Sequence, residues 1–69
     1  MRNDIFLKEM GRRIREIRKA KKISLEKLQV LTGIDDSNLG RLELGQKNTH
    51  ILTLKSIADA LNVDVKDFV

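Results

Sequence analysis

The chain has 69 residues, 41% hydrophobic and 35% charged, with a formal net charge of +4, no cysteine, no proline and no aromatic residues except two Phe. That length accommodates one domain, expected to span 1–69, with a small core that needs well-capped, closely packed helices. With no cysteine and one histidine there is no disulfide, no structural zinc cluster, and no Ser/His/Asp or Cys/His catalytic group.

No apolar run approaches the roughly 18 residues of a membrane span, and no N-terminal apolar block resembles a signal peptide. The expectation is a soluble cytoplasmic protein with no cofactor, no membrane partner and no small-molecule substrate. The charge is unevenly distributed. Residues 1–22 carry nine Lys/Arg and three Asp/Glu, a net of +6; residues 23–45 carry two and four, a net of −2; residues 46–69 carry three of each. A basic segment either solvates a helix face or marks nucleic-acid binding.

In chain order, the first predicted helix runs to about Ala20, with Asn3 and Asp4 as candidate caps. Leu7, Met10, Ile14 and Ile17 step by helical intervals and form one buried stripe, and Ile5 and Phe6 are placed to cover the open end of the core. Gly11 costs about 1 kcal/mol relative to Ala in a helix interior, so it marks either a close neighbouring helix or a tolerated defect. Arg18 follows Ile17 at the edge of the stripe.

The next stretch, Ile23 to Gly45, reads ISLEKLQVLTGIDDSNLGRLELG. Ser24 is a strong N-cap, its hydroxyl able to accept from backbone N–H groups of the first turn. Leu25, Leu28 and Thr32, with Leu31 beside them, follow at helical spacing. Gly33 stops this helix where a left-handed residue is cheapest, and Ile34 plugs the turn. Asp35 or Asp36 caps a second short helix with Leu39 and Leu42 inward, ended by Gly45. Two helices joined by a short Gly-containing connection are the outline of a helix-turn-helix, here over about 24–45.

A polar loop, Gln46–His50, leads to a helix with Ile51, Leu54, Ile57, Ala58 and Leu61 inward; its start is at His50 or, with Thr53 as cap, later. Asn62 ends it as a left-handed residue. Asp64 caps a last short helix, Val65–Val69, that lays Val65 and Phe68 on the core. The expected architecture is all-α, with five helices and no strands.

The segments GRRIREIRKAKKIS, LTGI, LGRLELG, Asn48 and IADALNVDVKDF together resemble the phage-repressor-like (Cro/XRE-type) helix-turn-helix family, from about Gly11 to Val69. The resemblance implies a lambda-repressor-like DNA-binding domain whose recognition helix, Asp36–Leu44, enters the major groove of double-stranded DNA while the helix from Leu25 rests across the backbone. It also pairs Arg18 with Glu43 as a structural ion pair. Ser37, Asn38 and Arg41 share the outward face of the recognition helix and are expected at base edges: Arg41 suits guanine O6/N7 and Asn38 suits adenine N6/N7. Asp36 can accept from a cytosine N4 amine. Gln46, Lys47 and Asn48 are expected on phosphates, as is the backbone N–H of Leu25. Gly40, between Asn38 and Arg41, either leaves room for the backbone to approach DNA or is a tolerated helix defect.

The chain departs from the family pattern in several places, among them Leu44, an apolar residue where the family usually has a polar one. Leu25 stands where the family usually has a phosphate-contacting Gln, Gln29 where it usually has Ala, Asn48-Thr49-His50 where Asn-Pro-Ser is common, and Asp35-Asp36 opens the recognition helix. Two functions from different classes follow: a sequence-specific DNA-binding transcriptional regulator, and a protein-interaction module on the same fold with DNA binding lost or weakened. No enzyme is expected. A weak homodimer is expected through the surface around Val63, Val65 and Val69.

Overall fold

The computed structural model describes residues 2–69, with side chains described from Asp4 onward. Four α-helices follow one another, α1 (Arg2–Ala20), α2 (Leu25–Thr32), α3 (Asp36–Glu43) and α4 (Ile51–Leu61), then a single 3₁₀ turn, Val65–Asp67. No strand occurs among the described residues. The fifth helix expected over Val65–Val69 is only this turn, and the N–H of the Asp64 before it is held by the Asp67 carboxylate at 3.1 Å. It serves to seat Phe68, which is fully buried.

Helix ends follow local chemistry closely. Ser24 Oγ accepts from the Lys27 N–H at 3.0 Å, capping α2. Lys22, Gly45 and Asn62 all have positive φ, and past each the chain donates back to an orphan carbonyl: Ile23 to Arg18, Gln46 to Arg41 and Val63 to Ala58. These are Schellman closures of α1, α3 and α4. At the end of α2, Gly33 (φ 76) takes the left-handed position, but the Ile34 N–H goes to Thr32 Oγ1 at 3.1 Å instead. That hydroxyl in turn donates to the Leu28 carbonyl at 2.8 Å.

The largest fully buried side chains are Ile14 of α1, Leu28 of α2, Leu39 of α3, Ile57 and Leu61 of α4, and Phe68. Burial of each is worth about 1.5–3 kcal/mol, and because every element contributes one, none can detach without opening the core. Gly11 lies against α3 so closely that an added Cβ would meet the Leu42 carbonyl oxygen and would stand 2.6 Å from that of Glu43. The close-neighbour reading of Gly11 therefore holds: only a residue without a side chain lets α1 reach the C-terminal half of α3.

Several expectations are corrected. α1 begins at Arg2, so Asp4 is a first-turn residue and not a cap; whether the Asn3 side chain caps lies outside the described residues. α4 begins at Ile51 with His50 in the N-cap position, and Ile51, expected inward, is 65% exposed. Ile5 and Phe6, expected to cover the end of the core, are 64% and 54% exposed. Leu31 is also largely exposed, because Leu28 alone occupies the buried line of α2. No described helix is long and apolar enough to cross a membrane.

Candidate nucleic-acid interface

The central unit is α2, the turn at Gly33 and α3. α3 is eight residues long, too short to be stable by itself, and it is held by what it packs against. Leu39 and Leu42 are buried, and Glu43 is joined to α1 across 25 positions of sequence. Arg18 Nε donates to Glu43 Oε2 at 2.6 Å and its second amino group to Oε1 at 3.0 Å, a bidentate fork. The remaining amino group donates to the Ile23 carbonyl at 2.7 Å. The two side chains are 9% and 5% exposed. Arg18 thus ties α1, the start of the helix-turn-helix and the end of α3 together; its bond to Ile23 was not anticipated, since nothing in the spacing signals it.

With one side of α3 so anchored, Asp36, Ser37 and Arg41 are exposed and Asn38 is half-buried. Arg41 has no hydrogen bond or ion pair to any described residue, so its guanidinium is uncommitted. Asn38 Oδ1 accepts from Lys47 Nζ at 3.4 Å, which brings the loop after α3 beside the helix. Gln46, Lys47 and Asn48 are exposed, and Asn48 Oδ1 accepts from the Thr49 N–H at 2.8 Å, ordering the loop. Between α3 and the start of α4 lies an open cleft of about 280 Å³, with Asn38, Lys47, Asn48 and His50 among its walls.

Leu25 is half-buried and packs on the core. Gly40 is not tightly enclosed: a Cβ there would lie 3.8 Å from the Leu25 side chain, an ordinary contact.

The N-terminus of α3 is capped in an unforeseen way. Asp35 occupies the N-cap position but its side chain makes no bond to the helix backbone; its carboxylate accepts from Ser37 Oγ instead. The Asp36 N–H is taken by Gln29 Oε1 of α2 at 2.7 Å. Of the two residues considered as caps, neither carries the bond, and the only sequence signal for Gln29 is a polar residue where two helices meet.

Three arginines of the basic segment have partners within the chain, while Lys8, Arg15, Lys19, Lys21 and Lys22 are exposed. Arg12 bridges Glu9 and Glu16 along α1 at 2.9 and 2.7 Å, and its hydrogen bond and charge hold the Glu9 carboxyl below the ordinary carboxylate range. Arg13 donates to the Val69 carbonyl and Arg18 is buried. Val63 and Val65, expected on a surface for self-association, are half-buried against the core, leaving only Val69 of the three exposed. Exposed apolar surface gathers instead at Ile5, Phe6, Ile51 and Val69, which line two adjoining concavities. Among the described residues no group of His, Asp or Glu is placed to hold a metal ion.

The helix-turn-helix family HTH_3 matches residues 14–68. Among solved structures, the chain is 36% identical to the restriction-modification controller protein C.AhdI from Aeromonas hydrophila, with a TM-score of 0.88 over 91% of this chain and 96% of that one. It is 27% identical to the clp gene regulator ClgR from C. glutamicum, with a TM-score of 0.87 over 91% of this chain and 82% of ClgR. An HTH_3 family transcriptional regulator from Vibrio cholerae shares 29% identity and a TM-score of 0.89 over 96% of this chain, which spans 37% of that protein. No curated protein sequence matches the chain.

Proposed function

Because the chain belongs to the HTH_3 helix-turn-helix family, we propose that it is a sequence-specific DNA-binding transcriptional regulator that reads the major groove with α3. The observation that carries this reading is the division of α3 into two faces. Leu39, Leu42 and Glu43 are buried and fixed, while Asp36 and Arg41 stand free, Ser37 is exposed against Asp35, and Asn38 sits beside the Lys47 loop. A rigid backbone that presents solvent-accessible polar side chains is what base-edge readout requires.

Arg41 is assigned to guanine, Asn38 to adenine, and Ser37 and Asp36 to neighbouring edges, Asp36 as an acceptor for a cytosine amine. Gln46, Lys47 and Asn48 hold phosphates from the loop. The backbone N–H of Leu25, at the first position of α2, adds another, since the first N–H groups of a helix have no intrahelical partner. The chain binds as a weak symmetric homodimer, the second copy covering Ile5, Phe6, Ile51 and Val69.

A second reading, a protein-interaction module on the same fold, is favoured by the exposure of Val30, Leu31 and Leu44 and of the acidic pair Asp35 and Asp36. Selection of binding sites from random duplex DNA separates the two. The DNA reading expects a half-site repeated at about one helical turn and affinity that falls steeply with salt through counterion release. Recovery of no preferred sequence, with binding to a protein partner insensitive to salt, would establish the second reading instead.

A further inference from the structure

We propose that Gln29 is the positioning residue of the recognition helix, fixing the start of α3 on α2 and through it the register of Ser37 and Asn38 on DNA. The inference rests on the reading of α3 as the DNA-reading helix. Three observations carry it. First, α3 lacks its own cap: Asp35 stands in the N-cap position, yet its carboxylate is occupied by the Ser37 hydroxyl and bonds no backbone N–H. Second, the Asp36 N–H, at the first position of α3, is satisfied by Gln29 Oε1 at 2.7 Å from seven residues earlier. A cap normally comes from the adjoining residue and leaves the angle between two helices open; one that reaches from α2 across the Gly33 turn constrains that angle as well. Third, Gln29 is half-buried, and every buried side-chain polar atom among the described residues has a partner. The Gln29 amide nitrogen, which bonds no described residue, therefore reaches solvent.

The residue type matters for charge. A carboxylate at position 29 could take the same N–H, but it would be a third anion beside Asp35 and Asp36, at the end of α3 that approaches phosphates. A neutral carboxamide supplies the acceptor without that repulsion. Shorter or apolar side chains leave that N–H to water and the first turn of α3 free to fray next to Gly33, whose surroundings are open.

The test compares Gln29→Met, which removes the acceptor, with Gln29→Glu, which keeps it and adds charge. Amide exchange is followed by NMR on the free protein, and affinities are measured for the selected duplex and for random duplex. Gln29→Met should speed exchange of the Asp36 N–H about five- to tenfold, the equivalent of one net hydrogen bond, while the core amides of Leu39 and Leu42 stay protected. Its preference for the selected over the random duplex should fall about tenfold as the base-reading side chains lose their fixed origin. Gln29→Glu should restore Asp36 protection and weaken binding to both duplexes alike. Unchanged Asp36 exchange in Gln29→Met overturns the cap, and unchanged sequence preference in that variant overturns the positioning role. If the wild-type chain binds no duplex, the DNA reading fails and the positioning role with it; the exchange result then still decides the cap by itself.

Discussion

Replacing Glu43 by Leu should cost about 3–5 kcal/mol, because it leaves the Arg18 guanidinium charged inside a site where its side chain is 9% exposed. Of the three bonds made by Arg18, only that to the Ile23 carbonyl at 2.7 Å would survive. Arg18→Met should cost at least as much: it strands the Glu43 carboxylate, 5% exposed, and also removes the donor from Ile23. A domain of this size has about 3–10 kcal/mol of stability in total, so either change alone brings it close to unfolding. The double variant Arg18→Met/Glu43→Leu is different. It places two apolar side chains of suitable volume together and removes both charges, so it should be far less destabilised than the sum, with a coupling of about 3 kcal/mol. Urea unfolding followed by far-UV circular dichroism measures all four species, and Glu43→Gln supplies a milder variant if a single change abolishes folding. Single changes each costing under about 1 kcal/mol, with effects that add within about 0.5 kcal/mol, would refute the reasoning.

Gly11→Ala should lower stability by about 1–3 kcal/mol, the reverse of the gain of about 1 kcal/mol expected for an unobstructed helical glycine, because the new methyl meets the Leu42 and Glu43 carbonyls; a raised melting temperature would contradict it. On the selected duplex, Arg41→Ala should cost about 1–3 kcal/mol and relax one base pair, whereas Lys47→Ala should weaken all sequences alike and reduce the salt slope by about one. In Arg12→Gln the Glu9 carboxyl, freed from the Arg12 hydrogen bond and charge, should titrate higher than in the wild type by NMR. The depressed value in the wild type stabilises the fold above the ordinary carboxylate range, and that contribution is lost as pH falls through the folded-state value. Sedimentation should show concentration-dependent dimers that Ile51→Glu abolishes, and a wild-type chain that stays monomeric both free and on DNA would exclude the proposed interface.

What the sequence by itself determined is what depends on neighbours within a few residues. Ser24, Gly33, Gly45 and Asn62 mark helix ends because a capping hydroxyl or a left-handed backbone is a local property. The stripes Met10–Ile14, Leu39–Leu42 and Leu54–Ile57–Leu61 are buried because one helical face must leave water. Arg18 and Glu43 lie at the edges of two such stripes, but their pairing across 25 positions came from resemblance and not from spacing. Tertiary structure decided the rest. It set Gly11 against the α3 carbonyls, left Ile51 exposed in the first turn of α4, and shortened the final segment to one turn. It also moved the cap of α3 from Asp35 to Gln29. Each of these depends on the approach of one element to another, and such an approach is settled by packing the whole core, which no local pattern of residues encodes.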